Sequence, residues 1–167
     1  MLNIYVIESS LFHSIENSIL ESSWSQGTAS TGLHDVILEA QKNDILFVAI
    51  AGNNNSLFGG QNLDTYPVFQ GGYGNSSLYP ELTNVLTVAT TDQKDGLPGW
   101  SNYGAKSVHL GAPGVNILST WSTDNTAYLS GTSMAAPHVS GAATLILSAP
   151  AASGYTTAQL RSAILNG

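Results

Sequence analysis

The stretch from Tyr128 to Leu147 changes character at one point, and that change restricts the fold more than anything else in the chain. Tyr128-Leu129-Ser130 reads as the end of an extended segment, and Ala142-Ala143-Thr144-Leu145-Ile146-Leu147 reads as a buried helix. Between them lies Gly131-Thr132-Ser133-Met134-Ala135-Ala136-Pro137-His138-Val139-Ser140-Gly141. Ser133 therefore stands at a strand-to-helix junction, at or near a helix N-terminus. Free N–H groups and the helix dipole favour negative charge there. Gly131 gives the backbone conformational freedom and leaves room for a substrate. Ala135 and Ala136 allow close packing, and Pro137 is expected in the first turn, which has no obligatory N–H partner.

Asp44-Ile45-Leu46-Phe47-Val48-Ala49-Ile50-Ala51-Gly52-Asn53 begins as an uninterrupted apolar run. Such runs suit a parallel strand buried on both faces. Its Gly52-Asn53 end falls at the C-terminal edge of that strand, where open α/β sheets place their ligands. Asn84 to Thr90 is β-branched and alternating, which predicts another strand. Leu33, Val36, Ile37 and Ala40 fall at i, i+3, i+4 and i+7, the stripe of an amphipathic helix, bounded by Thr31-Gly32 and Lys42-Asn43. Thr156 to Gln159 has capping-box spacing and is followed by an apolar stripe of Leu160, Ala163 and Ile164. The order of these elements predicts an α/β fold, a three-layer sandwich with a mainly parallel sheet.

The 167 residues form most simply one domain with a substantial core. Four Lys and Arg stand against eleven Asp and Glu. The basic residues, Lys42, Lys94, Lys106 and Arg161, are scattered, which argues against nucleic-acid binding. No apolar run is long enough to cross a bilayer. Asn3, Glu8 and Ser9-Ser10 interrupt the apolar residues after Met1, so no secretory signal is visible. There is no cysteine, hence no disulfide.

The run Gly131 to Gly141 closely resembles the nucleophile motif of the subtilisin-like serine proteases, the subtilases, with eleven residues in order. Upstream, Ala51-Gly52-Asn53 resembles the strand end that supplies their oxyanion hole. The resemblance implies that Ser133 is the nucleophile and that the Asn53 amide donates to the oxyanion without a formal charge. Trp100-Ser101-Asn102-Tyr103-Gly104 and Val108 to Thr120 resemble the linking segment between these two motifs. His109 departs from it, standing where the family often has Asp. Flanked by Val108 and Leu110, it reads as structural. Ser23-Trp24-Ser25 resembles the segment that pairs with bound peptide as an added strand. By resemblance, Ser23, Trp24, Ser25, Ala51 and Gly52 bind substrate. Ser25 replaces the usual glycine, which implies a narrower primary pocket. Asp64-Thr65-Tyr66-Pro67 resembles a family loop, and Val68 to Pro80 is expected to be a surface insertion.

The family order of catalytic residues is Asp, His, Ser. Asp35, Asp44, Asp64, Asp92 and Asp95 lack the family's Asp-Ser/Thr-Gly context, and His13 and His34 lack its His-Gly-Thr context. His138, five residues past Ser133, lies about 140° round a helix and is expected to be a packed helix residue. The resemblance spans about residues 22 to 165. It divides the chain into a poorly matching segment, 1–21, and the C-terminal half of a subtilisin-like peptidase domain, 22–167, incomplete on its N-terminal side.

The expected function is a serine-type endopeptidase working through an acyl-enzyme. The chain is expected to be a fragment with the nucleophile and oxyanion hole but without the catalytic Asp and His, and inactive alone. The alternative is a non-catalytic remnant, or half of a split protease that needs a partner chain. The implied partners are a polypeptide substrate and the missing N-terminal half, with no nucleic acid and no membrane. No cofactor is expected. Structural calcium is common in the family, but no dense acidic ligand cluster is visible here. Many members are secreted, yet this chain shows no signal peptide. An α/β-hydrolase reading fails, because Ala135 replaces the last glycine of Gly-x-Ser-x-Gly and no Asp or Glu follows Ser133.

Overall fold

The computed structural model describes residues 4–7, 19–25, 27–54, 59–122 and 125–167. Five strands lie side by side in chain order: Ile4–Ile7 (β1), Ile19–Ser22 (β2), Leu46–Ile50 (β3), Val85–Thr91 (β4) and Leu110–Pro113 (β5). β2 to β5 run parallel, with Leu20 opposite Phe47, Val48 opposite Leu86 and Val88 opposite Leu110. β1 is antiparallel to β2 at the edge. Ile117–Trp121 (β6) and Asn125–Leu129 (β7) form a separate antiparallel hairpin. The helices are Thr31–Lys42 (α1), Thr132–Ser148 (α2) and Thr157–Asn166 (α3).

The alternation of side chains along a strand explains the layers. Leu46, Val48 and Ile50 of β3 join Ile19, Leu86, Val88 and Ala112 on one sheet face. There they pack against Ala135, Ala136, Val139 and Ala143 of α2 and Leu160 of α3. Phe47, Ala49 and Val85 face the other way, onto Ile37 of α1 and onto Phe69, Tyr73 and Leu82. This is the expected α/β sandwich with a mainly parallel sheet. β4 is buried from Val85 to Thr90 rather than alternating, because it has strands on both sides and a layer over each face.

Helix ends follow local chemistry. The Ser30 side chain accepts from Leu33 N at α1, and Thr156 with Gln159 forms a complete capping box at α3. Ile37 and Ala40 are buried in α1, but Val36 is 49 % exposed, so its apolar stripe is narrower than the spacing implies.

Val68 to Pro80 does not lie wholly on the surface as expected: Ser76 to Leu78 and Pro80 are exposed, but the part before them is not. Phe69, Gln70, Tyr73 and Asn75 are buried, as are the glycines of the 3-10 turn Gly71–Gly74. The glycines are there for close approach. A Cβ on Gly74 would meet Thr87 Oγ1 and lie 2.6 Å from Ser107 O and 2.9 Å from His109 Cε1. Gly74→Ala is expected to cost about 1–3 kcal/mol through overpacking. The check is the urea midpoint, which should fall at constant m-value; an unchanged midpoint contradicts this packing.

His109 is largely buried, and its Nδ1 accepts from Thr87 N at 2.9 Å, adding a side-chain rung between β4 and the start of β5. Burial, with a smaller contribution from the nearby Arg161 charge, lowers its pKa to about 4. The folded ring stays neutral while the unfolded chain takes up a proton below about pH 6.5. His109 therefore costs nothing above pH 6.5. It destabilises progressively as pH falls towards 4, and by about 3 kcal/mol below that. Urea midpoints between pH 7 and pH 4 should fall more steeply in the wild type than in His109→Gln. Equal slopes would refute the assignment.

Candidate active site

The end of β7 delivers the chain through Ser130 and Gly131 into α2, with Ser133 as its second residue. In that first turn the Ser133 N–H has no intrahelical partner. The Gly131 N–H donates to Gly114 O at 2.8 Å, tying the junction to the loop after β5. A Cβ on Gly131 would come within 3.2 Å of Asn53 Nδ2, so glycine keeps the space before that amide open.

Asn53 follows β3 through Ala51 and Gly52. Its Oδ1 accepts from Thr132 N at 3.0 Å and Thr132 Oγ1 at 3.2 Å. Thr132 Oγ1 also accepts from Gly52 N at 3.2 Å. With its oxygen so held, the amide turns its Nδ2 towards Gly131, beside Ser133. Thr132, given no role from sequence, is what orients Asn53; its position between Gly131 and Ser133 was the available signal. The segment Trp100 to Asn102 supports the same strand end. Asn102 N donates to Gly52 O at 3.0 Å, Asn102 Nδ2 to Ala51 O at 2.9 Å and Asn54 N to Trp100 O at 2.8 Å.

Ser23 lies directly against Ser133. Ser133 Oγ donates to Ser23 O at 3.0 Å, and Ser23 Oγ is 3.3 Å from Ser133 O. Pro137 lies in the second turn of α2, not the first. Its missing N–H removes the usual i+4 donor from the Ser133 carbonyl, and the Ser23 hydroxyl stands in that place. Ser23 Oγ is also 2.5 Å from Glu21 Oε1. Glu21 is buried, and burial pushes its pKa up despite the Ser23 hydrogen bond. Sequence reasoning missed this carboxyl; its i, i+2 relation to Ser23 on an extended segment was the one available signal. Gly52 has φ 87°, a left-handed conformation suited to glycine. A Cβ there would lie 3.7 Å from Ser25 Oγ, so the Ser25 side chain reaches towards the gap between the ends of β2 and β3. Ser23, Trp24, Ser25, Ala51, Gly52, Asn53 and Ser133 thus gather at one edge of the sheet.

No general base stands at Ser133 among the described residues, since its hydroxyl donates to a carbonyl, which cannot take the proton. His138 is exposed rather than packed, with Nδ1 2.8 Å from Met134 O on its own helix. His34 is engaged by Glu81 at 2.8 Å, a hydrogen bond that raises its pKa. Asp64 accepts from Lys106 N, Ser107 N and Ser107 Oγ, and so caps a turn. His13 lies outside the described residues. Among the described residues no group of His, Asp and Glu could hold a metal ion, and no helix is long and apolar enough to cross a membrane.

α2 is not buried all round. Pro137, His138, Gly141, Ala142 and Leu145 are exposed, Leu145 by 72 %. Pro137 and Gly141 continue the i, i+4 row that starts at Ser133.

The subtilase family matches residues 5–167. Thermitase of Thermoactinomyces vulgaris is 36 % identical over 137 residues, 82 % of this chain and 41 % of the relative. Subtilisin DY of Bacillus licheniformis is 36 % identical over 121 residues, 72 % of this chain and 39 % of the relative. The crystal structure of a cold adapted subtilisin-like serine proteinase matches with a TM-score of 0.68 at 30 % identity, covering 85 % of this chain and 45 % of that one. The chain spans less than half the length of each.

Proposed function

The chain belongs to the subtilase family, and on that premise we propose that it carries the nucleophile and the oxyanion hole of a serine-type endopeptidase acting on polypeptides. Ser133 Oγ attacks the scissile carbonyl and forms an acyl-enzyme, which water then hydrolyses. Asn53 Nδ2 and the Ser133 N–H receive the oxyanion. The substrate backbone lies along Ser23 to Ser25 and Ala51-Gly52, and Ser25 favours small side chains between them. No cofactor enters this chemistry. The observation that carries the reading is the double hold of Thr132 on Asn53 Oδ1, which leaves the amide donor beside Gly131 and the helix N-terminus.

The general base and the carboxylate that orients it come from outside the described residues, since Ser133 Oγ now donates to Ser23 O. A second reading, half of a split protease completed by a partner chain, is favoured by the exposed face of α2. A segment laid along Leu145, Gly141 and Pro137 leads directly to Ser133.

Fluorophosphonate labelling with added imidazole tests both points, because imidazole substitutes for a missing base. Labelling of the 167-residue chain is expected to be slow alone, faster with imidazole and absent in Ser133→Ala. Absence of Ser133-dependent labelling with imidazole would reject the nucleophile assignment. Fast labelling without imidazole would place a base within this chain.

A further inference from the structure

Gln70 is fully buried, at 0 % exposure, just before the turn Gly71–Gly74. No part of the reaction described above uses it. Its amide lies behind the extended segment that carries Ser23. The hydrogen-bond network fixes its orientation, because the opposite one would set oxygen against the Trp24 carbonyl and nitrogen against the indole N–H. With the oxygen towards the indole, Gln70 Oε1 accepts from Trp24 Nε1 at 3.1 Å and from Ser22 Oγ at 2.7 Å. Its Nε2 donates to Trp24 O at 3.1 Å. The amide thus holds residues 22 and 24, on either side of Ser23, whose carbonyl accepts from Ser133 Oγ. The same turn presses on the other strand of the site. A Cβ on Gly71 would lie 2.7 Å from Ile50 O and 3.1 Å from Ala51 Cα.

We propose that Gln70 is a positioning residue for the candidate active site. Its amide fixes Ser22 and Trp24 and through them the placement of the Ser23 carbonyl beside Ser133. It fixes equally the edge on which a peptide is laid, a part that rests on the function proposed above. A glutamine suits the position because it supplies an acceptor to the indole and a donor to the Trp24 carbonyl without bringing a charge into the interior. Leucine fills the space and supplies neither. Glutamic acid supplies both only while protonated.

The test uses the full chain with Trp100→Phe and Trp121→Phe, which leaves Trp24 as its one indole. The readouts are the Trp24 indole N–H proton resonance and the Kd for an end-capped tetra-alanine peptide. Gln70→Leu is expected to move the resonance upfield and weaken the peptide at least tenfold while far-UV circular dichroism is retained. Gln70→Glu is expected to keep both readouts at acid pH; as its carboxyl ionises the peptide is lost with the donor to Trp24 O, while the resonance moves further downfield, because a carboxylate is the stronger acceptor for the indole N–H. The profile of the Trp24-only chain with Gln70 intact supplies the baseline, because Glu21 on the same strand also titrates.

An unmoved Trp24 resonance in a folded Gln70→Leu chain would overturn the proposal. Should Gln70→Leu fail to fold, a folded Gln70→Glu chain whose Trp24 resonance does not respond as its carboxyl ionises would overturn it equally. A Trp24 resonance that follows Gln70 chemistry in a chain that binds no peptide would uphold the positioning role and reject the substrate-strand reading instead.

Discussion

Replacing Ser133 with alanine is expected to lower peptide hydrolysis about a millionfold once a base is supplied to the site, a loss worth about 8 kcal/mol of barrier. That magnitude is the one found in a subtilisin itself. On the proposed function this hydroxyl forms the acyl bond. It sits in the first turn of α2, where the N–H groups and dipole favour the charge that develops on attack. The loss should fall on kcat, because the nucleophile adds little to substrate binding. In the chain without a base, the same substitution should change hydrolysis very little, since Ser133 Oγ then only donates to Ser23 O. Turnover of Ser133→Ala within tenfold of wild type, with a base present, would rule out Ser133 as the nucleophile.

Loss of the Asn53 donor is expected to lower kcat by roughly 100- to 1,000-fold with little change in KM, again the scale known from a subtilisin. Two substitutions separate the halves of this side chain. Asn53→Ala removes the donor together with the acceptor that Thr132 engages. Asn53→Asp keeps the acceptor for Thr132 N and Oγ1 but puts a carboxylate oxygen where Nδ2 now stands. If stabilisation of the oxyanion is the point, Asn53→Asp should be at least as slow as Asn53→Ala despite its intact hold on Thr132. A near-wild-type kcat for Asn53→Asp would show that Asn53 braces the α2 junction and does not take part in the chemistry.

What the sequence reveals of this fold follows how local the controlling chemistry is. The apolar run of β3, the capping box of α3 and the Ser133 junction are each set by neighbours within a few residues, and each is legible. Val68 to Pro80 is misleading because its glycines and polar residues resemble a loop. Their reasons lie far along the chain: Gly74 fits under Thr87 and Ser107, Asn75 Nδ2 donates to Ser107 Oγ at 3.0 Å, and Gln70 holds Trp24. Glu21 is hidden for a similar reason, since a lone carboxylate in a Ser-rich stretch reads as solvated until the strand pairing buries it. α2 is apolar nearly all round, so composition alone does not show which of its faces is covered. Thr132 was visible but uninterpreted, because its partner Asn53 is joined to it only through the fold.

The two sheet faces are covered by elements from different parts of the chain, and this has a consequence for synthesis. The side carrying Phe47, Ala49 and Val85 meets α1 and the Phe69–Tyr73 segment, which precede β4 on the ribosome. The side carrying Ile19, Leu46, Val48, Ile50, Leu86, Val88 and Ala112 waits for α2 and α3, which follow β5 and the hairpin along the chain. Throughout translation of β4, β5 and the hairpin, the nascent sheet has one finished face and one bare one. Parallel pairings between strands distant in sequence are slow to form and leave sticky surface exposed meanwhile. A ribosome paused before α2 therefore presents a chaperone substrate, and a truncation there gives an aggregating chain, not a smaller domain.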